Sequence, residues 1–221
     1  MGSKLQATGY KLKNKKPETW SLEPEAYFML IIGITGSLGT GKTTVSEMFR
    51  ELGAEVIDAD EISHNIIKID SVREKVKKAL DINSRQISCS NFRQQIAKIV
   101  FKDNKKIKEL EKILHPLVIK EIKKRFAVSE KRILVLDAPL LLETGLNKIV
   151  DKVVVVIASL KEQVSRAQKK GFSRREILQR IDYQIALSEK IKQADFVVDN
   201  NKEIKKTKEQ VKKIWRIICN E

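Results

Sequence analysis

The 221-residue chain has only two cysteines, 5% aromatic residues and no long apolar run. Cys89 and Cys219 stand far apart with no metal-ligand spacing, which excludes a disulfide scaffold and points to free thiols in a reducing cytoplasm. The longest nearly continuous apolar stretch, 26–34, is too short to span a bilayer. No apolar h-region follows the N-terminal charges, so neither a signal peptide nor a membrane partner is expected. Acidic residues are in deficit: 44 Lys and Arg face 29 Asp and Glu, for a net charge of +15. The few aromatics do not interleave with the scattered lysines, so the excess reads as a solvated basic surface and no nucleic-acid partner is expected. There is no Asn-Lys-x-Asp motif and no Asp-x-x-Gly switch, which argues against a GTPase. Internal repeats are absent too.

What is present is a complete phosphate-binding loop, Gly36-Ser37-Leu38-Gly39-Thr40-Gly41-Lys42-Thr43. A β-branched apolar run, Met29 to Ile34, precedes it. Apolar residues at 45, 48, 49 and 52 follow at helical spacing. Strand, glycine loop and helix together predict a nucleoside triphosphate site. Gly36, Gly39 and Gly41 let the backbone approach the ligand, and Thr40, Lys42, Thr43 and Thr44 complete the cradle. The N–H groups of the loop and the helix N-terminus suit phosphate oxygens. Lys42 is expected at the β- and γ-phosphates and the Thr43 hydroxyl on Mg²⁺, with ATP as the nucleotide.

Strands are expected at 29–34, 55–60, 132–137, 152–157 and 196–198. Helices are expected at 42–52, 160–169, 173–187 and 202–218. Residues 61–127 read as broken helices near 71–80, 91–102, 105–114 and 117–127, with Pro116 separating the last two. Strands alternating with helices predict an α/β fold: the P-loop NTPase type, with three α/β/α layers around a parallel sheet. Residues 1–28 carry Lys and Pro without periodicity and read as a flexible extension. Met29 would then open the folded part, or even serve as the initiator.

Asp58 and Asp60 close the second predicted strand, where α/β folds bind ligands. Two apart on a strand, both carboxylates would face the site and one could take a proton from an alcohol. Alternatively they form a turn or cap a helix starting at Glu61. Asp137 reads equally as a metal-directed carboxylate or as a turn residue before Pro139. His115 either orders a helix junction or touches substrate. Arg166, Lys169, Lys170, Arg174 and Arg175 suit a lid that closes cations over phosphates. Asn200 would contact adenine, although its spacing alone reads as a turn.

Over about residues 29–218 the chain resembles the dephospho-coenzyme A kinase family. The resemblance rests on the phosphate loop, Val56-Ile57-Asp58-Ala59-Asp60, Arg93 within Asn91–Phe101, and Leu114-His115-Pro116-Leu117. It extends through Pro139-Leu140-Leu141-Leu142-Glu143-Thr144-Gly145, Gln163, Arg166 and Gln184 to Ala194–Asn200. It implies ATP-dependent phosphorylation of the ribose 3′-hydroxyl of dephospho-CoA. It also implies a core (29–61 and 128–218), a helical CoA-binding insert (about 62–127) and a lid (about 165–185). By the same resemblance Asp60 falls on the catalytic aspartate and Arg166 on a lid arginine, and Asp58, Arg93 and His115 are expected at the substrate. A monomer or weak oligomer is expected. Other P-loop kinases of nucleosides, shikimate or sugars, or an RNA-binding P-loop NTPase, are the competing readings. Lys170 stands where the family often has a second lid arginine, and it lacks the bidentate fork.

Overall fold

The computed structural model describes residues 29–82 and 103–220, with 92, 96, 99 and 100 between them. The 1–28 extension, Cys89 and Arg93 lie outside the described residues. Five strands, β1 (Leu30–Thr35), β2 (Glu55–Asp58), β3 (Ile133–Asp137), β4 (Lys152–Ile157) and β5 (Phe196–Asp199), form one parallel sheet in the order β2-β3-β1-β4-β5. The helices among the described residues include α1 (Lys42–Glu51), α2 (Ala59–Ile66), α3 (Asp70–Ala79), α4 (Asn104–Val128), α5 (Leu160–Lys169), α6 (Arg174–Tyr183), α7 (Leu187–Lys192) and α8 (Ile204–Cys219).

The unalternating strands of the sequence have a direct cause: both faces of the sheet are covered. Leu134, Leu136, Val153 and Val155 pack on one side with Ile62, Val76, Ile122 and Phe126 of the helices α2 to α4. Their neighbours Ile133, Val135, Val154 and Val156 pack on the other with Val45 and Phe49 of α1 and Val211, Ile214 and Ile218 of α8. Phe92, Ile96 and Val100 are buried in the first of these cores. No helix among the described residues is long and apolar enough to cross a membrane.

Three expectations about local structure are corrected. Pro116 does not divide a helix, because α4 runs unbroken from Asn104 to Val128 with Pro116 inside it. A proline there costs about 3 kcal/mol through its missing N–H and its ring clash. Burial of Val118, Ile122 and Phe126 beyond it offsets that cost. The second strand stops at Asp58, so Asp60 belongs to the first turn of α2 and not to a strand. The helix expected at 173–187 ends early, at Tyr183, with Gln184 extended, and a separate helix, α7, starts at Leu187.

Candidate active site

β1 ends at Thr35, and the chain turns through the glycine loop into α1. Gly41, the N-cap of α1, has φ 92°, a left-handed conformation that favours glycine. A side chain there would run into the Asn200 amide, and one at Gly39 would collide with the Gln163 carbonyl of α5. The loop is therefore held from beneath by the last strand and by α5. Asn200, buried after β5, donates from Nδ2 to the Thr40 carbonyl at 2.8 Å. Its Oδ1 accepts from the Thr207 hydroxyl at 2.9 Å. Its amide is thus committed to bracing the loop, a role its turn-like spacing did not suggest.

Arg166 of α5 reaches the same junction. It donates to the Asn200 carbonyl at 2.8 Å and to the Thr40 carbonyl at 3.4 Å, and pairs with Glu162 at 3.3 Å. Lys42 Nζ folds over the loop, donating to the carbonyls of Gly36 at 3.0 Å and Ser37 at 3.2 Å. Burial pulls the Lys42 ammonium below the usual lysine range, against the opposing pull of the Asp137 and Asp60 carboxylates. The charges of Lys190 and Lys170 act on it in the same direction as burial. Thr43 and Thr44 are exposed in the first turn of α1.

Asp137 and Asp60 act on Lys42, and Asp58 stands beside Asp137. Asp137 closes β3 in register with both Asp58 of β2 and Ile34 of β1. It is buried and accepts from the Ser46 hydroxyl of α1 at 2.9 Å. Burial pushes its carboxyl up to about 6, while Lys42 and Ser46 pull the other way. Ser46 was not foreseen, although its place one turn after Lys42 on α1 was visible. Asp58 is the N-cap of α2: its Oδ1 accepts the N–H groups of Asp60 at 2.8 Å and Glu61 at 3.0 Å. The cap is therefore Asp58 and not Asp60. Asp60 itself stands in the first turn of α2, where it lines a cleft.

That cleft has a volume of about 270 Å³. Asp60 and Ser63 of α2, Leu110, Glu111, Leu114 and His115 of α4, and the Ala138–Leu140 turn line it. Tyr183, at the end of α6, closes one side and donates to Glu111 Oε1 at 3.3 Å. Burial, with the charges of Glu111 and Glu143, pushes the Tyr183 hydroxyl up to about 12, so it remains a donor at neutral pH. His115 Nε2 is buried with no protein partner. A buried ring nitrogen with no partner in a mostly apolar cleft suits a polar group of a bound molecule.

Among the described residues, no group of three or more His, Cys, Asp or Glu side chains could hold a metal by itself. Mg²⁺ commonly keeps several waters and takes only one or two protein oxygens beside phosphate oxygens. The Thr43 hydroxyl and the Asp137 carboxylate are hard oxygen donors of that type.

The dephospho-CoA kinase family model matches residues 30–206. A dephospho-CoA kinase of Aquifex aeolicus is 41% identical over 186 residues, covering 83% of this chain and 95% of the relative. A crystal structure from Thermus thermophilus superposes with a TM-score of 0.76 at 30% identity, over 86% of this chain and 97% of that one. The dephospho-CoA kinase of Campylobacter jejuni does so with 0.60 at 26% identity, over 85% and 96%. With a family model matched over most of its length and a relative 41% identical, the chain belongs to the dephospho-CoA kinase family.

Proposed function

We propose that the enzyme transfers the γ-phosphoryl group of ATP to the ribose 3′-hydroxyl of dephospho-CoA. The observation that carries this reading is the juxtaposition at Asp60. One carboxylate lines the apolar cleft and acts electrostatically on Lys42 of the phosphate loop. An acceptor held in the cleft would present its hydroxyl between that carboxylate and the phosphates.

In this reading the N–H groups of residues 36–44 cradle the phosphates. Lys42 leaves its two loop carbonyls for the β- and γ-oxygens. Thr43, with Asp137, would hold Mg²⁺, which when bound neutralises phosphate charge. Asp60 orients the acceptor hydroxyl. As the hydroxyl oxygen bonds to the γ-phosphorus, the bond to the bridging oxygen breaks, ADP departs, and the hydroxyl proton passes to the Asp60 carboxylate. Arg166 adds positive charge at the loop. His115 meets the acceptor in the cleft, and Asp58 fixes the backbone that presents Asp60. Arg93 completes the acceptor site by family resemblance alone. Asn200 acts on the nucleotide through the loop it braces. Residues 62–127 serve as the acceptor-binding insert and 165–185 as the lid. The same reading has the enzyme acting in the cytoplasm, as a monomer or weak oligomer, on a small molecule and with no nucleic-acid or membrane partner.

The test is ADP release, coupled to NADH oxidation, with ATP-Mg²⁺ and a panel of acceptors. Dephospho-CoA is expected to raise ADP release far above the water rate, with shikimate and nucleosides at the water rate. Equal rates across the panel would sink the acceptor assignment.

A further inference from the structure

Lys190 is a lysine in a lysine-rich stretch, yet its side chain is 0% exposed. All three donors of its ammonium are used. Nζ lies 2.8 Å from Glu143 Oε1, 2.9 Å from the Pro139 carbonyl and 3.4 Å from the Thr35 hydroxyl. Burial lowers its proton affinity and Glu143 opposes that shift. A buried ion pair is a poor way to stabilise a fold, because desolvation of both charges offsets their attraction. What this pair joins is more informative.

Thr35 is the last residue before the phosphate loop, and its hydroxyl donates to the Pro139 carbonyl at 3.0 Å. Pro139 and Leu140 form a wall of the cleft. Glu143 Oε1 also accepts the Ile185 N–H at 2.9 Å, directly beyond the lid helix α6. The adjoining Gln184 places its amide oxygen 3.2 Å from the Leu38 N–H, a donor of the phosphate loop. One buried pair therefore ties the entry to the phosphate loop, the wall of the cleft and the base of the lid.

We infer that Lys190 and Glu143 are positioning residues for phosphoryl transfer, holding the base of the lid in register with the phosphate loop and the acceptor cleft. Neither touches the reacting atoms. The inference rests on the phosphotransfer reading above and adds two residues to it. Because Gln184 occupies a loop N–H that suits anionic oxygen, the pair also sets where the lid stands when phosphate replaces that amide.

The test is the double variant Lys190→Met/Glu143→Gln. It removes both charges, keeps side-chain volume and retains an acceptor for the Ile185 N–H. It is expected to melt at or above the wild-type temperature, while kcat falls about 10–100-fold through misplacement and ADP affinity weakens in an equilibrium titration. A double variant with wild-type melting, kcat and ADP affinity would overturn the inference. If the double variant does not fold, Glu143→Gln alone decides, since it breaks the ion pair but keeps the volume and an acceptor for the Ile185 N–H. Reduced kcat with wild-type melting supports positioning, and unchanged kcat refutes it. If the wild-type enzyme proves inactive on dephospho-CoA, the acceptor reading alone fails. ADP affinity of the same variants then tests the positioning role, weakened binding sustaining it and unchanged binding refuting it.

Discussion

Replacing Asp60 by Asn is expected to lower kcat by about 10²–10⁴-fold, the usual contribution of a positioned general base, with ADP and ATP affinity nearly intact. The separation follows from the geometry. Asp60 lies on α2 and faces the acceptor cleft, whereas the loop that would hold the nucleotide is built by β1, α1 and their braces at Asn200 and Arg166. The fold is expected to survive, because the cap of α2 uses the Asp58 side chain and the Asp60 backbone N–H, both kept in the variant. Steady-state kinetics beside an ADP titration checks both halves. A variant turning over near the wild-type rate would remove Asp60 from proton transfer.

Lys42→Met should be as severe in a different way. The ammonium now rests on two loop carbonyls and would have to stabilise charge on the transferring phosphoryl group. Loss of one such donor typically costs about 10²–10³ in kcat. Nucleotide affinity should fall as well, unlike in Asp60→Asn. Stability should move the other way. Burial holds the folded pKa of Lys42 below its unfolded value, so at neutral pH the charged form weighs against folding. Methionine keeps the length without the charge, and the variant should melt at or above the wild-type temperature. A melt well below wild type, or retained kcat, would contradict this account of the loop.

The sheet was legible because its central strands are short apolar runs rich in β-branched residues. Strands β1, β3 and β4 are covered on both faces, so each reads as an unbroken apolar run. The phosphate loop was legible because glycine spacing encodes its backbone geometry. The carboxylates were found but their backbone was not: Asp58 and Asp60 straddle a strand end and a helix start. Which one caps depends on where the chain turns. The break at Gln184 was hidden for a related reason. The Ile185 N–H goes to Glu143, 42 residues away, and no local pattern announces a tertiary competitor for a helical bond. Lys190 was the least legible of all, since a lysine among lysines reads as surface until its acceptors are in place. Pro116 misled in the opposite sense, because its local cost was visible and the packing that offsets it was not.

The central claim is that phosphorus moves from ATP to one particular hydroxyl. The most direct measurement is ³¹P NMR and mass analysis of the product formed from dephospho-CoA and ATP-Mg²⁺. The account predicts one new phosphate monoester on the ribose 3′-oxygen, with ADP formed in equal amount. Phosphate released to water, or a monoester at any other position, would contradict it.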